Sequence, residues 1–334
     1  MTSTTDDLLV RQPMTAEMRA EIDRARGLWK EGIDYRLPPD DQARKIDEAL
    51  HAVWNVDQPA MASVRSFELG GNAEGTAAAC DAVLYQPFDA VAGIIFYIHG
   101  GGWALCSLQT HERFMRYLAQ TSRLAVVGIH YRLAPQHPYP AALTDVIAAY
   151  RDLVANRETH GLPAGAMVVA GDSAGANLAL GLMLHESAAG MAMPAGGLLF
   201  YGAFGLDFQT QSHRLYGTDD YLLSTFQMGQ FWYWYVPDAK DREDPLAVPL
   251  HANDVQLRDL PPLFLVAAEL DPLADDSRRL KTKLAAANRN DQFHIERGVV
   301  HGFLQMTAFL DAARKVTALA ADAANDFLTR TLRT

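Results

Sequence analysis

The chain has 334 residues, enough for two average domains or for one large single-sheet α/β protein. Hydrophobic residues make up 49% and charged residues 21%, which excludes a disordered or collagen-like chain. Lys and Arg number 29 against 40 Asp and Glu, and the resulting net charge of −11 speaks against nucleic acid as a partner, because phosphate binding wants a basic face.

In chain order, residues 1–10 carry Asp6 and Asp7 and no basic-then-apolar pattern. No secretory signal is expected there, so the chain is read as cytoplasmic. Met14, Met18, Ile22, Leu28 and Trp29 recur among charges at helical spacing, which predicts an amphipathic helix. Pro38 and Pro39 interrupt it, and a second helix is expected over residues 41–53. Residues 1–55 therefore read as a helical extension. From about Val64 the texture changes. Strands are predicted at 63–69, 79–85, 93–98, 124–130, 166–170, 197–201, 263–268 and 292–296. The run from Gly93 to Ile98 is apolar throughout, as a strand buried on both faces should be. Helices are expected at 109–121, 140–156, 174–188, 273–287 and 306–330. This alternation implies βαβ crossovers and a mostly parallel sheet with helices on both faces. One stretch departs from it: about sixty residues separate Gly202 from Leu263, including the aromatic-rich Phe226–Tyr235. Such insertions are usually lids or extra helices. The longest mostly apolar run, 190–206, is broken by Pro194 and is too short to span a bilayer, so no membrane is expected. The two cysteines, Cys80 and Cys106, are too few for a disulfide framework.

The sharpest chemical signal is Gly171-Asp172-Ser173-Ala174-Gly175, between an apolar strand and a helix. That context suits a nucleophile elbow, in which a sharp turn lifts the serine above the sheet. His99-Gly100-Gly101-Gly102-Trp103 follows the strand ending at Ile98. Consecutive glycines cost backbone entropy and are tolerated where something must approach the backbone closely. The N–H groups of Gly101, Gly102 and Ala174 can converge on one oxyanion. A phosphate loop would require a following Lys-Ser/Thr, and Trp103-Ala104 does not supply it. A serine nucleophile needs a base, and the base an orienting acid, in the chain order Ser, Asp/Glu, His. Asp271 and His301 meet that order, each at the C-terminal end of a predicted strand. Glu269 is a rival acid, because alternation along an extended chain puts it on the same side as Asp271. Asp275 and Asp276 are expected to ride away from the site on the helix after Pro272 and to lie at the surface.

These segments, with Tyr131-Arg132-Leu133-Ala134-Pro135, His137-Pro138-Tyr139-Pro140-Ala141-Ala142 and Asp271-Pro272-Leu273, resemble the bacterial hormone-sensitive-lipase-like esterases, and their acetyl-esterase branch in particular. The resemblance runs from about residue 64 to 330. It implies an α/β-hydrolase fold with a helical cap: a cap segment at 1–55, a catalytic domain at 56–334 and a cap insertion at about 204–240. It implies Ser173 as nucleophile, His301 as base, Asp271 as orienting acid, and Gly101, Gly102 and Ala174 as oxyanion donors. His99, Tyr131, Arg132 and Asp145 would hold the loops around the site. Ala176 stands where the family usually has glycine, and Ala274-Asp275-Asp276-Ser277 replaces the commoner Arg-Asp-Glu-Gly. Trp29, Trp103, Phe204, Leu206, Phe226 and Phe231 are candidates for the substrate pocket.

The reading is a serine carboxylesterase for short-chain acyl esters, working through a covalent acyl-enzyme with no metal or organic cofactor. Its partner is a small-molecule ester. Family members are often dimers, which leaves a homodimer open. An amide or formamide hydrolase on the same scaffold is the alternative. A small-molecule receptor is disfavoured, because the plant gibberellin receptors that resemble this family have lost the histidine, whereas His301 is present.

Overall fold

The computed structural model describes residues 11–72 and 75–331, so the reading of residues 1–10 concerns a segment outside the described residues. Two helices come first, α1 (Ala16–Leu28) and α2 (Asp41–Ala52), each opened by a side-chain cap from Thr15 or Asp40. Strands β1 (Ser63–Gly70), β2 (Ala79–Gln86) and β3 (Ile94–Ile98) lead to α3 (Glu112–Ser122), and β4 (Ala125–His130) to α4 (Ala141–Asn156). Strand β5 (Met167–Asp172) then feeds α5 (Ala174–Ala188). After β6 (Gly196–Phe200) the long connection folds into α6 (Gln211–Tyr216), α7 (Thr225–Tyr235) and α8 (Asp254–Arg258), with short 3-10 turns between them. The chain closes with β7 (Leu263–Leu270), α9 (Ala274–Ala286), β8 (Gln292–Val300) and α10 (Asp311–Thr331).

The strands form one sheet in the order β1-β2-β4-β3-β5-β6-β7-β8. Strand β2 runs antiparallel to both its neighbours, and every pairing from β4 to β8 is parallel. Central strands β3, β5 and β6 are buried along their whole length, which is why their sequences are apolar runs apart from Asp172 at the end of β5. Alternate residues feed two cores on opposite faces. Phe96 and Ile98 belong to the core that also holds residues of α4, α5 and α9, while Ile95 and Tyr97 belong to the core that holds residues of α3, α10 and α1.

The N-terminal helices are anchored rather than loosely attached. Thr15 N–H donates to Gly298 O, within β8, at 3.0 Å. Buried Glu21 accepts from Trp54 Nε1 at 2.8 Å and pairs with Arg24, and Trp29 Nε1 donates to Leu50 O at 2.9 Å. Helix α7 begins with a reciprocal cap between Ser224 and Gln227. Its Tyr235 ring stacks on Trp103 at 4.3 Å, which fastens the insertion to the loop after β3.

Candidate active site

Ser173 occupies the turn between β5 and α5 with φ +53° and ψ −119°, a backbone region that side chains rarely adopt. The turn closes because Gly175 has no side chain: a Cβ there would stand 2.0 Å from the carbonyl oxygen of Ile98. Ser173 N–H donates to Phe200 O at 2.9 Å, which ties the elbow to β6.

Strand β8 runs on to Val300, so His301 is the first residue beyond it. Its Nε2 lies 2.9 Å from Ser173 Oγ and its Nδ1 lies 2.7 Å from Asp271 Oδ2. A proton on Nδ1 facing the carboxylate leaves the Nε2 lone pair for the serine hydroxyl. Asp271 is fully buried, and its second oxygen accepts the Leu273 N–H at 2.8 Å. The ring of Tyr201 meets His301 edge-on at 5.0 Å.

The neighbouring acids are sorted by their partners. Glu269 accepts the Gly298 N–H at 2.9 Å and faces the backbone of β8. Asp276 does not lie at the surface as expected, and Asp275 is half-buried. Asp276 is only 2% exposed, and one of its oxygens accepts both the Phe204 and Gly205 N–H groups at 2.8 Å. Asp275 accepts the Ser212 N–H at 2.9 Å and pairs with Arg278. The first turn of α9 packs beneath residues 204–212, whose free backbone N–H groups need acceptors, and the two aspartates supply them. Burial pushes the Asp276 carboxyl up to about 7, against the opposing pull of those two N–H donors.

The residues expected to donate to an oxyanion sit beside the serine. Gly101 and Gly102 line the same cavity as Ser173 and His301. Gly102 has φ +59°, and a Cβ there would stand 2.3 Å from the Phe231 ring. Ala174 is fully buried at the start of α5, where helix N–H groups lack intrahelical acceptors. Asp172, which the motif leaves as a variable position, links this loop to the elbow. Its carboxylate accepts the Gly100 N–H at 2.9 Å and the Tyr97 hydroxyl at 2.6 Å, and faces His111 at 3.3 Å. Burial alone would raise its carboxyl, but His111, Tyr97 and Gly100 together hold it below the usual range. The signal in the sequence was an acid at a strand end followed by the elbow serine. The loop-holding expectations fit the geometry: Tyr131 donates to His99 O at 2.9 Å, and Arg132 grips Asp145 with two N–H groups at 2.8 and 2.7 Å.

A cavity of about 610 Å³ opens over Ser173, walled by residues 26–54 and 219–231. Of the pocket candidates, Trp29, Phe226 and Phe231 line it. Trp103, Phe204 and Leu206 do not. Trp103 leaves Gly102 with φ +58° and lies fully buried on Tyr235. Phe204 is fully buried in the core, its N–H bonded to Asp276, and Leu206 packs against that same core. Tyr35 lines the cavity edge-on to Phe231 at 5.8 Å, and nothing in its local sequence marked it.

Residues 95–305 match the family of the α/β-hydrolase fold. The chain is 34% identical over 262 residues to an acetyl esterase of Salmonella schwarzengrund (strain CVM19633), covering 78% of this chain and 79% of that protein. Among solved structures, the ester-hydrolase EH1AB1 from the metagenome of Lake Arreo superposes with a TM-score of 0.84 at 32% identity, covering 93% of this chain and 98% of that one. An esterase of the archaeon Pyrobaculum calidifontis gives a TM-score of 0.83 at 28% identity, covering 94% of this chain and 99% of that one. The match over residues 95–305 and the 34% identity to an acetyl esterase over most of both chains show that the chain belongs to the hormone-sensitive-lipase-like esterases of the α/β-hydrolase family.

Proposed function

We propose that this chain is a serine carboxylesterase acting on short-chain acyl esters. The observation that carries the reading is the unbroken line from Asp271 through His301 to Ser173, at 2.7 and 2.9 Å, opening into one cavity. Ser173 Oγ attacks the ester carbonyl as His301 Nε2 takes its proton. The N–H groups of Gly101, Gly102 and Ala174 receive the developing oxyanion. His301 then protonates the departing alcohol, and a water activated by the same histidine releases the acid. Asp271 holds the imidazole in the tautomer this requires, and no step calls for a metal or organic cofactor. Walling of the cavity by residues 26–54 and 219–231 supports reading 1–55 and about 204–240 as a cap over a catalytic domain at 56–334. The proposal places the enzyme in the cytoplasm without a nucleic-acid partner, in keeping with a net charge of −11. Among the described residues, no helix is long and apolar enough to cross a membrane. Light scattering would test for the homodimer common in the family.

The test is turnover of p-nitrophenyl esters from acetate to palmitate, with p-nitroacetanilide alongside. A cavity of this size holds a small ligand, so activity should peak at hexanoate or shorter, with the anilide far slower. A peak at laurate or longer would overturn the short-acyl reading, and a faster anilide would make the chain an amidase.

A further inference from the structure

A second cluster of reactive side chains lines the same cavity and has no part in the mechanism above. Helix α2 carries Asp47 and His51 one turn apart, so both face the same way. The loop after the glycine run brings Cys106 to them. One donor atom from each of Asp47, His51 and Cys106 lies within 4.8 Å of the other two.

Three features make this more than a chance meeting. His51 Nδ1 lies 2.9 Å from the carbonyl oxygen of Asp47, so the ring proton sits there. The Nε2 lone pair is then left facing Cys106 Sγ at 3.8 Å. Metal-binding histidines are fixed in this way, donating the second ring N–H to a carbonyl or carboxylate. Second, Asp47 is 3% exposed, and its one ion-pair partner among the described residues is His51, whose Nδ1 lies 3.4 Å from Asp47 Oδ1 while Oδ2 stays on the Cys106 side. A buried carboxylate is costly unless paired or coordinated to a cation. Its Oδ2 is meanwhile held at 2.9 Å by the Cys106 N–H, so it stays beside the thiol. Third, Cys106 has φ +64°, a conformation where glycine would be unstrained. The chain bears about 1–2 kcal/mol of backbone strain to keep a thiol at this point.

We propose that Asp47, His51 and Cys106 form a binding site for one divalent ion of the zinc class, set in the cavity wall. A tetrahedral zinc with bonds of about 2.3 Å to sulfur and about 2.0 Å to nitrogen separates those two atoms by about 3.5 Å. The observed 3.8 Å therefore needs a shift of only a few tenths of an ångström. Thiolate, imidazole and carboxylate together match the mixed donor set that zinc accepts. On binding, the Cys106 thiol gives up its proton to solvent and its sulfur bonds the ion as thiolate. The three protein donors leave a fourth position for water or for an oxygen of a ligand in the cavity. This site shares no residue with the Ser173, His301 and Asp271 line and does not depend on the esterase reading.

The test uses the full, untagged chain dialysed against zinc chloride, with metal analysis of the retained ion. One zinc per chain is expected. Cys106→Gly, which also removes the backbone strain, and His51→Ala should each weaken retention by at least about tenfold. His301→Ala should bind as the parent does. Cobalt(II) should give a thiolate charge-transfer band that Cys106→Gly lacks. In the parent chain, zinc should slow alkylation of Cys106 by iodoacetamide, a measurement that needs no variant to fold. No retained zinc, retention unaffected by both cluster variants, retention lost in His301→Ala, or alkylation unchanged by zinc would each overturn the site.

Discussion

Gly175 lies so close to the end of β3 that a Cβ on it would stand 2.0 Å from the carbonyl oxygen of Ile98. That contact fixes how deeply α5 seats against the sheet, and hence where Ser173 stands. Because the obstacle is backbone, it cannot rotate away. Gly175→Ala should cost about 1–3 kcal/mol of stability, as overpacking does, and lower turnover as the elbow shifts. Urea unfolding checks the first and ester turnover the second. A variant as stable and as active as the parent would show that α5 yields without cost.

Both oxygens of Asp271 are committed, one to His301 and one to the Leu273 N–H. In Asp271→Asn the amide oxygen keeps the Leu273 bond, so its NH₂ faces His301 Nδ1. The proton then moves to Nε2, where it blocks acceptance from Ser173. Turnover should fall by about 10⁴-fold. Glu269→Gln keeps an oxygen for the Gly298 N–H and should cost less than about tenfold. Loss of activity in Glu269→Gln with Asp271→Asn little affected would reverse the assignment of the acid.

Asp276 gives a pH signature of stability. Its carboxyl is raised to about 7, mainly by burial, against about 3.9 in the unfolded chain. The folded chain therefore holds the proton more tightly. The stability this confers is present below about pH 4 and lost as pH rises through about 7. In Asp276→Asn the amide oxygen can still accept from Phe204 and Gly205 while the titration disappears. Urea unfolding from pH 5 to 8 should show the parent losing stability relative to this variant. A constant difference would mean that Asp276 does not titrate in that window.

Phe231 closes the cavity against Gly102 and Tyr35. Phe231→Ala should lengthen the pocket and move the optimum of the p-nitrophenyl series to longer acyl chains. The buried ring also contributes to packing, so a stability loss of up to about 3–5 kcal/mol is expected. An unchanged chain-length optimum would place the acyl group elsewhere in the cavity.

Much of this molecule was legible because its signals are local. Buried strands such as β3 and β6 announce themselves as short apolar runs, and the eight strands among the described residues all lie within a few residues of their predicted positions. Pro38-Pro39 mark the start of α2, and the elbow glycine at 175 marks a close approach. The choice between Glu269 and Asp271 was not local in that sense. Alternation puts both on one side, but the β7–β8 pairing slips between Ala268 and Leu270, and the two carboxylates go to different partners.

The sequence by itself determined the sheet, the sharp turn at Ser173 and the chain order of the serine, aspartate and histidine proposed for catalysis, because periodicity and turn sterics act over a few residues. Only the tertiary structure decided which apolar side chains face the cavity, turning Trp103 and Phe204 into the core and leaving Phe231 and Tyr35 in the wall. It also decided that Asp276 is buried and that Asp47, His51 and Cys106 meet. A cavity is whatever volume remains after distant segments have packed. Its lining follows from contacts between residues far apart in the chain, which no local pattern records.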